Sequence, residues 1–260
     1  MNFFSPKSAA RRYREGRSYF HPTVIERIRR FLSLDALLSI ALDVGCGTGL
    51  STIALKEISR RVVGVDVSQE MVALTDKEPR IEYLVSRAEE LPFKDGVFEM
   101  ITLSQAFHWL DKERFFTEAR RVLRSKGWLI FYDHYFSSEM EEKPEFKSWF
   151  QENYLKRFPP PPRGGLTFTP EDSEQSGFQL LGQETYQSSI SFSVERFVNY
   201  LLTHSNVIAA VEFGTEEIDG VRCWLTESIK PLFGDLEEAS FLFNAPIWYL
   251  KAGMKDEDEG

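Results

Sequence analysis

The chain has 260 residues, 42% hydrophobic and 27% charged, with a net charge of −9 and a pI near 5.2. That length carries one large domain or a domain with a substantial insertion, and the acidic balance speaks against a nucleic-acid partner. Two cysteines, Cys46 and Cys223, have no metal-ligand spacing, and no apolar run approaches the roughly 18 residues of a membrane span, so we expect a cytoplasmic protein with no disulfide, no metal and no membrane contact.

The N-terminal segment is basic (Lys7, Arg11, Arg12, Arg14, Arg17), which leaves local anion binding open. Val24, Ile25, Ile28, Phe31 and Leu32 then recur at helical spacing over residues 23–32, with Pro22 suited to the first turn. Strand-like runs follow at 40–44, 61–66, 81–85, 98–104 and 128–132. Between them come helical patterns: one carrying Leu50, Ile53, Ala54 and Ile58, one capped by Ser68, and one capped by Asp111 with a Phe115, Phe116, Ala119, Val122 and Leu123 face. Gly127 is expected to turn the chain into the fifth strand. Strands alternating with helices predict a doubly wound, Rossmann-like, mostly parallel α/β sheet of seven strands, with the ligand at the carboxyl ends.

Beyond residue 136 the pattern changes. Residues 137–177 are polar and proline-rich, with Pro159 to Pro162 in a row, and read as a stiff connector. A strand-like run at 178–191, helices at 193–202 and 215–231, and a last strand at 247–251 would complete the sheet with an antiparallel strand and a helical cover. The expected division is therefore a ligand-site core over 1–136 that includes an N-terminal cover segment, and a completing part of the same domain over 137–252. The acidic tail from 253 to 260 is expected to be frayed.

The most informative segment is Leu42-Asp43-Val44-Gly45-Cys46-Gly47-Thr48-Gly49, with Asp66 lying 21 residues after Gly45. Glycines at alternate positions after an apolar strand make a tight turn that a ligand can approach, and an acid at that distance can take both hydroxyls of a ribose. The third glycine of the dinucleotide fingerprint is absent, Leu50 standing in its place, and no Walker Gly-Lys-Ser/Thr follows.

This string resembles motif I of the class I S-adenosylmethionine (SAM)-dependent methyltransferases. The stretch from Ala88-Glu89-Glu90-Leu91-Pro92-Phe93 to Glu99 is similar to the methyltransferase type-11 group, with Glu99 where that group prefers aspartate. Gln105-Ala106-Phe107-His108-Trp109, with Tyr13 and Arg17, resembles the trans-aconitate methyltransferase-like branch, although the prolines of its Y-x-x-x-R-P-x-Y-P stretch are missing at 18 and 20.

The resemblance implies SAM as cofactor, S-adenosylhomocysteine (SAH) as product and a small-molecule methyl acceptor. It implies cofactor contacts from Asp43, Gly45, Cys46, Gly47, Asp66, Val67, Met71, Ala88, Glu89, Ser104, Gln105 and Phe107. Tyr13 and Arg17 would lie at the methionine end, where a guanidinium matches a carboxylate. Cys46 itself reads as a small packing residue, and Met71 as core filler or an adenine contact. His108 is the sharpest catalytic candidate, with Tyr132 and His134 as further candidates; His204 reads as a cap of helix carbonyls. The expected reaction is in-line methyl transfer to oxygen, of a carboxylate or a hydroxyl. C-methylation of a quinone-like ring and a non-catalytic SAM-binding regulator stay open beside it.

Overall fold

A computed structural model describes residues 4–161, 173 and 176–253. By its internal contacts the chain forms two compact units. One comprises Met1–Ser18, His134–Pro162 and Tyr186–Ala245, and the other Tyr19–Asp133, Arg163–Thr185 and Pro246–Gly260.

The second of these holds the nucleoside-type sheet. Its strands are β1 (Leu38–Val44), β2 (Ser59–Asp66), β3 (Ile81–Val85), β4 (Phe98–Ser104), β5 (Leu123–Tyr132) and the C-terminal half of β8 (Ala239–Ala252). They run in the order β3-β2-β1-β4-β5-β8. The first five are parallel, and β8 is antiparallel to β5, with Trp128 opposite Lys251 and Tyr132 opposite Ile247. The order reverses between β1 and β4, which opens a crevice at their carboxyl ends.

Strand alternation sorts the side chains. Leu42, Val44, Ile101, Leu103, Leu129 and Phe131 enter one core with Phe115, Phe116, Ala119 and Val122 of the helix Lys112–Val122. Asp43 and Thr102 alternate with them and take the other face, where Asp43 pairs in register with Gly64 on one side and Thr102 on the other.

The caps form as the sequence predicts: Ser68 Oγ accepts from Met71 N at 3.2 Å, and Asp111 Oδ1 from Arg114 N at 3.3 Å. Two expectations are corrected. The fifth strand begins at Leu123 rather than after Gly127, and the irregularity shows instead as a register shift between the Phe98–Leu123 and Met100–Trp128 pairs. The helix after the glycines, Leu50–Ala54, is short and gives way to a 3-10 turn over Leu55–Glu57. It buries Ser51, Thr52 and Ala54 in place of Leu50 and Ile53, because Asp43 draws the two hydroxyls inward.

The other unit has its own core, dominated by aromatic rings. Its elements are the helix Lys7–Gly16, strand β6 (Tyr135–Met140), a helical run from Glu145 to Arg157, and the helices Val194–Leu201, Ser205–Glu212 and Ile218–Phe233. The N-terminal half of β8 pairs antiparallel with β6, Phe136 opposite Phe243. Phe197 stacks on Phe241 with centroids 3.9 Å apart, and Phe136 meets Phe150 edge-on at 5.2 Å. β7 (Phe178–Phe192) also pairs with β8, so the described residues form eight strands where seven were expected. β6, the run from Glu145 and the helix Ser205–Glu212 replace connector or loop expectations. Pro162, most of residues 163–175 and the tail beyond 253 lie outside the described residues.

Candidate active site

The glycine turn follows β1 at the point where the sheet order reverses. Gly45, Gly47 and Gly49 have φ of 71°, 54° and 92°, a region that side chains disfavour. The turn is pinned to β2, since Gly45 N and Cys46 N both donate to Val65 O, at 2.8 and 3.0 Å. Space matters as much as dihedral angle. A Cβ on Gly45 would stand 2.5 Å from Ala106 Cβ, and one on Gly49 2.5 Å from the Tyr83 hydroxyl. Two of the three glycines thus make room for protein neighbours.

Asp66 ends β2 as expected. Its carboxylate accepts from Gly47 N at 2.9 Å and from Ser68 N at 2.8 Å. Burial raises its pKa, and the amide hydrogen bonds of Ser68, Gly47 and Val67 oppose that rise. Three amides against roughly four lone-pair sites leave the carboxylate some acceptor capacity, so the residue can take a ribose hydroxyl. Val67 follows with half its surface exposed, and Met71 is buried behind it.

Asp43 has a different place. It is fully buried, and its oxygens accept from Ser51 Oγ at 2.6 Å, Thr52 Oγ1 at 2.7 Å and Thr102 Oγ1 at 3.0 Å. Burial pushes its pKa up to about 6 against those three hydrogen bonds. The carboxylate therefore ties β1 to the helix after the turn and to β4, and braces the turn from beneath. Cys46 is buried and its thiol pKa is held up by that burial, in keeping with a packing role.

Glu89 is held by its own neighbours, paired with Arg87 at 3.3 Å and accepting from Asp111 N at 3.1 Å. Ala88 is buried in the core of the sheet unit. The stretch that carries the type-11 resemblance is clamped by Arg121, which donates to Leu91 O at 2.9 Å, Phe93 O at 2.6 Å and Asp95 Oδ1 at 2.9 Å. Glu99, the departure from that group's aspartate, accepts from Ser39 N at 2.6 Å.

After β4, Ser104 lies in register with Tyr132, and Gln105, at φ 55°, donates its N–H to Tyr132 O at 3.0 Å. Phe107 turns its ring into the core, stacked on Phe131 at 4.3 Å. His108 occupies the same short 3-10 turn, largely buried beside Trp109. The Tyr132 hydroxyl meets His21 Nδ1 at 3.1 Å.

Tyr13, Arg17, His134 and His204 belong to the other unit. His134 Nε2 meets Ser188 Oγ at 2.8 Å. His204 precedes the helix Ser205–Glu212 and meets the Tyr154 hydroxyl through Nδ1 at 2.9 Å, so the carbonyl-capping expectation is replaced by a side-chain pair. Sequence reading missed Ser51, Thr52, Thr102, Tyr83 and His21. Of these, Thr102 left a trace, as a hydroxyl inside an otherwise apolar strand.

This geometry defines a doubly wound α/β domain with its candidate site at the β1–β4 switch point. Residues 42–131 match the methyltransferase domain family. A Dictyostelium discoideum protein described as a methyltransferase is 24% identical over 222 residues, covering 83% of this chain and 84% of its own. An uncharacterised methyltransferase of Mycobacterium bovis is 37% identical over 123 residues, 47% of this chain and 49% of its own; the chain thus spans about half of that relative. A solved structure described as a type II methyltransferase from Anaeromyxobacter dehalogenans shares the fold, with a TM-score of 0.64, 23% identity and coverage of 88% and 95% of the two chains. Relatives whose names give a methyl donor give S-adenosylmethionine. Over residues 42–131 the chain is thus similar to SAM-dependent methyltransferases, and SAM is the methyl donor that this likeness points to.

Proposed function

We propose that this chain methylates an oxygen, of a carboxylate or a hydroxyl, on a small organic molecule. The observation that carries the cofactor half of this reading is the joined glycine turn and Asp66, whose carboxylate accepts from Gly47 N while keeping acceptor capacity for a ribose hydroxyl. In this reading Asp66 takes a ribose hydroxyl, the amides after Gly45 approach the ligand, and exposed Val67 with Met71 offers apolar surface to the base. Asp43 acts one step back, holding the turn in shape. Among the described residues no helix is long and apolar enough to cross a membrane.

Bound SAM supplies a methyl carbon already activated by its sulfonium. The chain's task is to hold the acceptor oxygen about 3 Å from that carbon, in line with the C–S bond, and to keep water out. When bound, SAM would give up that methyl group to the acceptor oxygen and leave as SAH. A carboxylate has no proton to lose, whereas a hydroxyl needs a base, the role we assign to His108.

The test pairs SAH binding by calorimetry with methyl transfer to a panel of organic acids and alcohols. His108→Ala is expected to keep SAH affinity and lose turnover on a hydroxyl acceptor. Unchanged turnover retires His108. Tight SAH binding by wild type with no transfer to any oxygen acceptor overturns the oxygen reading.

A further inference from the structure

Gln105 is the first residue after β4, and its backbone is left-handed, at φ 55°. Elsewhere in the candidate site the chain gives that conformation to glycine, at Gly45, Gly47 and Gly49. A residue with a side chain is strained there and persists only where its surroundings hold it. Gln105 is held on both sides. Its N–H donates to Tyr132 O at 3.0 Å, and Ser104 before it lies in register with Tyr132. Ala106 after it has returned to right-handed backbone, at φ −115° and ψ −22°, and Trp109 N donates to Ala106 O at 3.0 Å to close the turn Phe107–Trp109.

The reversal at Gln105 therefore aims two groups at once. It sets the Ala106 Cβ against the first glycine, so closely that a Cβ on Gly45 would stand 2.5 Å away. It also starts the turn that carries His108, which Phe107 anchors from behind by stacking on Phe131 at 4.3 Å. Gly45 belongs to the turn whose amides are tied to Val65 O and, through Gly47, to Asp66. A continuous row thus runs from Asp66 through Gly47, Gly45 and Ala106 to His108, all within the sheet unit, between Tyr19 and Asp133. Backbone and one methyl group join the two ends.

We propose that Gln105 is a positioning residue that acts through its backbone: its left-handed conformation docks Ala106 on the glycine turn and so fixes His108 relative to the donor site. This rests on the reading of the glycine turn as the donor site and of His108 as the base. A direct side-chain contact with the cofactor is the rival role, and the two make opposite demands. A backbone role tolerates residues that accept φ near 55°, Gly and Asn above all, and rejects a β-branched one. A side-chain role needs the amide at its full reach and is lost with Gly, Asn and Val alike. Glycine would reach the same conformation at less cost but leave the turn freer, which is a physical reason for a side chain to stand there.

Calorimetry with SAH on the full chain tests this, together with the ring-nitrogen resonances of His108 in the SAH complex. A mere loss of stability leaves both readouts of the folded protein where they are. Gln105→Gly and Gln105→Asn are expected to bind SAH within twofold of wild type and to keep the His108 resonances in place. Gln105→Val should lose at least fivefold in SAH affinity and move those resonances. Ala106→Gly, which removes only the methyl contact, should move them as well. A tenfold loss of SAH affinity shared by Gln105→Gly, Gln105→Asn and Gln105→Val assigns the side chain to the cofactor and overturns the proposal. Unchanged affinity and resonances in Gln105→Val overturn it too, as do unmoved His108 resonances in Ala106→Gly. Should Gln105→Val fail to fold, the other three variants decide by the same outcomes. Failure of wild type to bind SAH sinks the donor reading instead, and undiminished turnover by His108→Ala sinks the base reading, both separate from these results.

Discussion

Gly47 N donates to Asp66 Oδ2 at 2.9 Å, so the acid that ends β2 holds the turn that ends β1. The ribose-type acid and the glycine turn are therefore one hydrogen-bonded unit within the protein itself. Replacing Asp66 removes a ligand contact and loosens the turn together. Asp66→Ala is expected to weaken SAH binding by about 1–3 kcal/mol, read by calorimetry. Asp66→Asn, which can still accept from one amide, should lose less. Unchanged affinity in Asp66→Ala would remove the ribose role.

Asp43 gives a pH signature of definite sign. Its folded pKa of about 6 stands above the ordinary carboxylate value, so the folded state holds the proton more tightly than the unfolded chain. Its contribution is fully favourable below about pH 4 and is lost as pH rises through about 6. The difference amounts to about 3 kcal/mol. Denaturant titrations between pH 4 and 7 should show this loss in wild type and a flatter profile in Asp43→Asn. Identical profiles would mean that the buried carboxylate titrates normally.

His134 acts with the opposite sign. Its folded pKa of about 4 lies below the unfolded value near 6.5, so acid favours the unfolded chain, which takes up the proton first. Stability from this group is present above about pH 6.5 and is lost as pH falls towards 4, again by about 3 kcal/mol. The same titrations on His134→Gln should show less acid sensitivity in that window.

Gly45 and Gly49 should respond differently to a methyl group. Gly45→Ala meets the rigid Cβ of Ala106, whereas Gly49→Ala meets the far end of the Tyr83 side chain. Both incur about 1–2 kcal/mol for their positive φ. Ala106→Gly should therefore rescue the contact part of the Gly45→Ala loss, and Tyr83→Phe part of the Gly49→Ala loss. Double-mutant cycles read by thermal melting check both, and strict additivity would show that the contacts carry no strain.

Arg121 is the clamp of the segment from Leu91 to Asp95. Arg121→Lys keeps a cation but cannot reach two carbonyls and two carboxylates at once. A loss of about 1–3 kcal/mol in unfolding free energy is expected. Faster hydrogen exchange confined to that segment would locate the effect.

The helices between the strands of the glycine-turn sheet were legible because their punctuation is local: Ser68 and Asp111 cap through their own side chains. The helical run from Glu145 was hidden under a polar, proline-rich composition. Its signal was nonetheless present, since Phe146, Phe150, Tyr154 and Phe158 recur every fourth residue and all are buried. The brace under the turn was harder to read. Ser51 and Thr52 look like solvent-facing helix residues, and only a buried acid on the neighbouring strand turns them inward.

The aromatic core of Phe136, Phe146, Phe150, Phe197, Phe241 and Phe243 shares no member with the core behind the glycine turn. Ring-for-ring exchanges in the first should therefore add independently to changes in the second. A lineage could revise the helical unit many times while the donor machinery drifts little. Sequence divergence outrunning the reaction's cofactor is the evolutionary trace such an arrangement leaves.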